Sequence, residues 1–83
     1  MPSMQTTLID EAMRRRDLSS AALRDRLRAH GVTVTRQTVR NWRLGVNPPP
    51  DKHRATVAAV LGLDLPSFLL ECAGLMSAQD AQP

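Results

Sequence analysis

Four side chains that can each make two hydrogen bonds to one partner lie within six consecutive positions of this chain. They are Arg36, Gln37, Arg40 and Asn41. A guanidinium pairs bidentately with O6 and N7 of guanine, and a carboxamide pairs in the same way with N6 and N7 of adenine. On the outward face of one helix, these residues have the types needed to read base edges in the major groove of DNA. No acidic residue occurs between positions 26 and 50, which favours an anionic partner over a merely solvated face.

A second set of residues has the types that hold phosphate groups. Phosphate binds to the backbone N–H groups of a helix start and to positively charged side chains. The candidates for phosphate contact are Ser20, Thr35, Thr38, Arg43 and Lys52. Ser20 and Thr35 also lie where helices are predicted to start, and this position accounts for these residue types without a phosphate contact. The three arginines at positions 14–16 suit phosphate and the negative end of a first helix equally well.

The charge distribution favours the same kind of partner. The 83 residues carry a net charge of +3, but all eleven basic residues lie between Arg14 and Arg54. Only three acidic residues oppose them there, and the other five lie in the two flanks. Ten of the eleven basic residues are arginines, whose planar guanidinium matches phosphate oxygens and guanine edges. We therefore expect a polyanion as the partner.

Other kinds of chemistry have little support in the sequence. His30 and His53 have no cysteine or acidic cluster at ligand spacing, so we expect no metal ion and no cofactor. Cys72 is the only cysteine, which excludes an internal disulfide and indicates an inert buried thiol. No nucleophile arrangement, convergent carboxylate pair or phosphate loop indicates an enzyme. Because no apolar run approaches the ~20 residues of a membrane span, we expect a cytoplasmic protein without a membrane or small-molecule partner.

Five short helices are predicted to position these residues in an all-α, compact bundle. Hydrophobic residues recur at helical spacing, and Ser, Thr, Gly and Pro mark the starts and ends. The predicted helices cover about residues 7–16, 20–30, 36–44, 51–61 and 65–74, with Thr7, Ser19, Thr35 and Asp51 as N-caps. Residues 1–76 are predicted to form one domain, followed by a flexible C-terminal tail at 77–83.

The predicted core follows one face of each helix. The inward residues are Ile9, Ala12, Met13, Leu23, Leu27, Val39, Trp42, Val57, Val60, Leu61, Leu65, Phe68, Leu69 and Cys72. Trp42 is placed in the core rather than stacked on a base, because no second aromatic residue is near it to form a platform. Residues 32–35 alternate like a strand, but they are few and lack a partner segment, so they are predicted to form an extended turn.

Residues 18–63 resemble the helix-turn-helix DNA-binding domain of the phage-repressor and Cro type, which is also called XRE-like or lambda-repressor-like. That pattern has a capped second helix, a turn with Gly, a recognition helix with β-branched and Trp core positions, and a helix ending in Ala-x-x-Leu-Gly. The matching residues, in order, are Ser19, Gly31, Val39, Trp42, Gly45, Pro48, Pro49, Pro50, Ala58, Leu61 and Gly62. With the flanking helices, the resemblance covers about residues 7–73. The turn is about two residues longer than in the family, and Arg24 stands where the family usually has a small residue.

The resemblance implies a sequence-specific regulator of transcription that binds double-stranded DNA. Such a protein is phage-encoded or prokaryotic, associates with the nucleoid, and binds two operator half-sites as a homodimer. The third predicted helix is then the recognition helix. Two alternatives stay open: a DNA-targeting module of a transposition or excision complex, and, in another class, a small protein-interaction or antitoxin module.

The fifth predicted helix has more apolar residues than one buried face requires. Leu70 lies ~100° from Leu69 around the helix, so part of this surplus is predicted to face outward. An exposed apolar patch on a small protein marks a partner surface. The predicted dimer interface consists of Phe68, Leu69, Leu70 and Leu75.

Overall fold

Five helices form where apolar residues recur with the helical period. The computed structural model describes residues 7–80, with side chains described for residues 7–75. The helices are α1 (Leu8–Arg15), α2 (Ser20–Ala29), α3 (Arg36–Leu44), α4 (Asp51–Leu61) and α5 (Leu65–Asp80). Residues 7–80 contain no strand, and residues 32–35 form the extended turn between α2 and α3. The predicted all-α bundle is thereby confirmed.

Side-chain caps start the first three helices at the predicted positions. The hydroxyls of Thr7, Ser19 and Thr35 each accept a hydrogen bond from a backbone N–H three residues later, at 3.0–3.1 Å. Such caps satisfy N–H groups that have no partner within the helix. The prediction for α4 is wrong, because Pro50 occupies the cap position and Asp51 is the first helical residue. Pro50 already has the extended conformation of an N-cap, and the Asp51 carboxylate instead contacts Arg54.

Glycines with positive φ end two of the helices. Gly45 follows α3 with φ 76°, and Gly62 follows α4 with φ 67°. This left-handed conformation costs glycine less than any residue with a Cβ. Gly74, in contrast, does not end α5, which continues to Asp80. One glycine inside a helix costs only about 1 kcal/mol, which is too little to stop it. Of the predicted tail, residues 77–80 are therefore helical, and 81–83 lie outside the described residues.

The core is assembled from one face of each helix. The buried apolar residues, at most 3% exposed, are Ile9, Ala12, Met13, Leu23, Leu27, Val32, Val39, Trp42, Val57, Ala58, Leu61, Phe68 and Cys72. Most of the predicted core is therefore confirmed, including Trp42 and Cys72. Val60 is half-buried and packs against this core. Val32, in the turn after α2, adds a core residue that the helical periodicity does not predict.

Along α5 the structure corrects two predictions. Leu65 and Leu69 were expected in the core, but they are 37% and 39% exposed, because Phe68 and Cys72 occupy the face that is turned inward. Phe68 is fully buried within its own chain, so it does not belong to a dimer interface. Leu70 faces solvent as predicted, whereas Leu75 is half-buried beside Gly45.

Two kinds of feature are missing from the part of the chain that the structure describes. None of its helices combines the length and the apolarity that crossing a bilayer requires. The same residues bring together no group of three or more His, Cys, Asp or Glu side chains that could bind a metal ion.

Candidate nucleic-acid interface

The third helix presents a polar face to solvent and an apolar face to the core. Val39 and Trp42 are buried, and they anchor the inward side. Arg36, Gln37 and Arg40 are exposed on the other side. Asn41, the fourth predicted base reader, is half-buried at the edge of that side. All four predicted residues thus share one accessible region of α3.

The two amides of this face are bonded to each other. Gln37 Nε2 donates a hydrogen bond to Asn41 Oδ1 over 3.0 Å, one helical turn away. This bond does not use Gln37 Oε1 or the second N–H of the Gln37 amide. These are the acceptor and donor that a bidentate contact to adenine uses. The pair is therefore held in position while Gln37 keeps the groups needed for a base contact.

The side chains of Arg36 and Arg40 are exposed, and neither side chain forms a hydrogen bond or an ion pair with another described residue. A guanidinium carries five N–H donors and no acceptor, so each of these arginines presents its full donor set to a partner.

Arg43, one of the predicted phosphate contacts, is bonded to other residues of the fold. Its Nε donates to Asp10 Oδ1 over 2.7 Å, and its Nη1 donates to Ser20 Oγ over 3.1 Å. Asp10 also pairs with Arg14 at 2.9 Å, and its side chain is only 11% exposed. The network joins α1, α2 and α3, so Arg43 helps to hold α3 in place.

The remaining predicted phosphate contacts lie at helix starts. Ser20 is the first residue of α2 and is half-buried, with its oxygen accepting from Arg43. Thr35 Oγ1 caps α3 and lies 3.0 Å from Thr38 Oγ1. Lys52 is exposed in the first turn of α4. Hydrogen bonds within the fold thus involve Ser20, Thr35 and Thr38, whereas Lys52 has an exposed side chain.

Two further arginines join the site without having been predicted there. A cleft of about 670 Å³ separates α2 from the start of α3. Its lining residues are Ser20, Arg24, Arg28, Val34, Thr35, Arg36, Gln37 and Arg40. The spacing of Ser20, Arg24 and Arg28 at intervals of four, which places them on one helical face, is the signal that could have identified Arg24 and Arg28.

Cys72 is buried in the core. Burial raises the pKa of the Cys72 thiol, although the positive charge of Arg54 opposes this shift. A protonated buried thiol is a poor nucleophile, which agrees with a packing role. His30 is exposed and His53 half-buried, on different elements.

Comparisons of the chain with models of protein families, with curated proteins and with solved structures found no match.

Proposed function

We propose that this protein is a sequence-specific, double-stranded DNA-binding regulator of transcription, similar to Cro and phage repressors. The observation that supports it best is the face of α3, where Arg36, Gln37, Arg40 and Asn41 surround an accessible surface. A recognition helix needs this combination of base-reading side chains outside and anchoring residues inside. Val39 and Trp42 supply the anchor.

The surroundings of α3 suit insertion into a groove. Asp10, Arg43 and Ser20 connect α3 to α1 and α2, so the helix is held at several points before it meets DNA. The basic block supplies the sequence-independent part of the affinity, which comes from release of counterions from phosphate. Base contacts on α3 then supply the specificity.

We propose further that the protein acts as a homodimer through α5. Leu70 is 75% exposed, and Leu65 and Leu69 on the same helix are 37% and 39% exposed. Exposed leucines of this kind on a small domain favour a contact between protein chains. A dimer would place two α3 helices at half-sites about one turn of DNA apart, as symmetric operators require. On this proposal the protein works in the cytoplasm of a prokaryotic cell, on the nucleoid, without catalysis.

Selection of bound fragments from random double-stranded DNA tests the proposal. A palindromic consensus supports a dimeric regulator, because protein symmetry is reflected in the operator. An asymmetric consensus favours a DNA-targeting module of a transposition or excision complex, to which the long turn before Thr35 is also suited. Absence of any enrichment, together with capture of a protein partner through α5, would replace DNA binding by a protein-interaction or antitoxin function.

A further inference from the structure

We call the space between α2 and the start of α3 the arginine cleft. The charged side chains that line it are all positive. Its lining residues are Arg24, Arg28, Arg36 and Arg40, together with Ser20, Val34, Thr35 and Gln37. Two arginines come from α2 and two from α3, and within each helix they are four residues apart. No acidic residue lines the cleft. Asp25 lies outside it and contacts only Arg24, at 2.9 Å.

A second cleft, near the first, differs in charge. It measures about 280 Å³ and is lined by Asp10, Arg14, Ser20, Arg40, Arg43 and Leu44. There the Asp10 carboxylate pairs with Arg14 and Arg43, so that cleft contains a negative charge among its arginines. In the arginine cleft, the side chains of Arg28, Arg36 and Arg40 have no such partner among the described residues. Like charges facing one another across a cleft repel, and a bound anion removes that repulsion.

The start of α3 adds to this positive potential. The cap residue Thr35 and the first-turn residues Arg36 and Gln37 line the cleft. The first turn of a helix has N–H groups without partners inside the helix and carries the positive end of the helix dipole. Thr35 itself satisfies only the N–H of Thr38. The cleft therefore combines guanidinium forks with the end of a helix that favours anions.

We propose that the arginine cleft binds two neighbouring phosphate groups through Arg24 and Arg28 of α2, and that these phosphates belong to one DNA strand when α3 lies in the major groove with Arg36 and Arg40 turned to the bases. Guanidinium is the side chain that pairs bidentately with phosphate. The cleft is as large as a small-molecule pocket, for which about 300–1,000 Å³ is typical, but it is lined by charge rather than by apolar groups. Both departures noted in the sequence border the cleft, because Arg24 and the turn residues Val34 and Thr35 line it. The identification of these phosphates as those of DNA rests on the proposed function, whereas the affinity of the cleft for phosphate does not.

The test compares two arginines of α2. Arg28→Ala removes a cleft residue, and Arg26→Ala removes an exposed arginine that lies ~160° away around the same helix and does not line the cleft. Binding to a labelled duplex of mixed sequence is measured by fluorescence anisotropy between about 50 and 200 mM salt. We expect Arg28→Ala to make the slope of log K against log salt shallower by about 0.9 per lost contact. Arg26→Ala is expected to leave that slope close to the wild-type value.

Calorimetric titration with inorganic tripolyphosphate, without DNA, separates the two sources of phosphate. Loss of duplex affinity in Arg28→Ala but not in Arg26→Ala supports the inference with DNA as the source. A second outcome is that the wild type binds tripolyphosphate but no duplex, and that Arg28→Ala loses the binding of tripolyphosphate. The cleft then binds a free polyphosphate, so the cleft inference stands and the proposed function fails. If the wild type binds duplex and the two variants lose equal affinity and slope, the cleft inference is overturned while DNA binding stands. Binding of neither ligand overturns both.

Discussion

Asp10 and Arg40 show how neighbouring charged residues take different roles in this protein. Asp10 is nearly buried and is bonded to Arg43 and Arg14, so it contributes to the position of α3. Arg40 lies on the same surface and lines both of the clefts described above, and its side chain has no hydrogen bond or ion pair with a described residue. The role of a charged residue here depends on its partners and not on its type. Arg40 and Arg43 are both arginines of α3, but only Arg43 is bonded to Asp10.

Arg40→Ala is expected to cost about 1–3 kcal/mol of binding free energy on the preferred DNA site, because a bidentate contact to guanine is lost. Preference at one base-pair position should relax at the same time. The measurement is the ratio of affinities for the selected site and for random duplex. Arg26→Ala serves as the control for loss of charge. An unchanged ratio in Arg40→Ala would show that Arg40 does not read a base.

Asp10→Ala is expected to lower the free energy of unfolding by about 1.5–3 kcal/mol, the usual contribution of a hydrogen bond to a charged group. The loss follows because Arg43, whose side chain is 26% exposed, keeps its charge without its partner. Urea unfolding followed by the fluorescence of Trp42 gives the value. Asp25→Ala removes an exposed ion pair of about 0–1 kcal/mol and is the matched control. Equal losses in the two variants would contradict the structural role of Asp10.

At the scale of the elements, α1 and α5 meet through one hydrogen bond. Glu71 Oε2 accepts from the backbone N–H of Leu8, in the first turn of α1, over 2.9 Å. Burial raises the pKa of Glu71 above its usual value near 4.5, and the negative charge of Glu11 adds to the shift. The bond to Leu8 acts in the opposite direction. The charge of Glu71 therefore carries a net cost in the folded state.

Glu71→Gln is expected to match or exceed the wild type in stability at pH 7, because an amide oxygen accepts the same bond without charge. Since the pKa is raised in the folded state, folded Glu71 holds its proton more tightly than the unfolded chain does. Its contribution to stability is therefore present below the usual pKa and falls as pH rises through the raised one. Any advantage of the variant should disappear as pH is lowered below about 4.5. Thermal unfolding of both proteins from pH 4 to pH 7 measures this, and a variant that is less stable at pH 7 would contradict it.

At the scale of the whole molecule, the basic residues and the exposed leucines of α5 lie in different parts of the chain, although Leu44 and Val46 beside α3 are also exposed. Arginines surround α2 and α3, whereas α5 carries Glu71 and an outward apolar surface that includes Leu65, Leu69 and Leu70. In a complex with DNA, the acidic and apolar end is expected to lie away from the phosphates. The proposed dimer follows from this separation, because α5 is then free to contact a second copy.

Leu70→Glu is expected to shift sedimentation from dimer to monomer and to weaken operator binding. Because Leu70 is 75% exposed, the far-ultraviolet helical signal should stay close to that of the wild type. Ala59→Glu adds the same charge at an exposed position of α4 and should leave the dimer intact. A wild type that sediments as a monomer at tens of micromolar would refute the dimer, and unfolding of Leu70→Glu would indicate that Leu70 supports the fold instead.

The sequence was sufficient to predict features that depend on neighbouring residues. Hydrophobic spacing and the Thr7, Ser19 and Thr35 caps locate the first three helices, because a cap bond and an amphipathic face involve residues only three or four apart. The outward position of Arg36, Gln37 and Arg40 follows from the burial of Trp42 in the same helix.

Contacts between helices were decided only in the tertiary structure. The pairing of Arg43 with Asp10 joins residues 33 positions apart, and the spacing within α3 gives no sign of it. The arginine cleft likewise depends on how α2 and α3 lie against each other across the turn. On α5, helical spacing leaves Leu65 and Leu69 as acceptable for the core as Phe68 and Cys72. Only packing against the other helices decides which of these side chains are buried, because a small domain covers one face of its last helix and leaves the rest exposed.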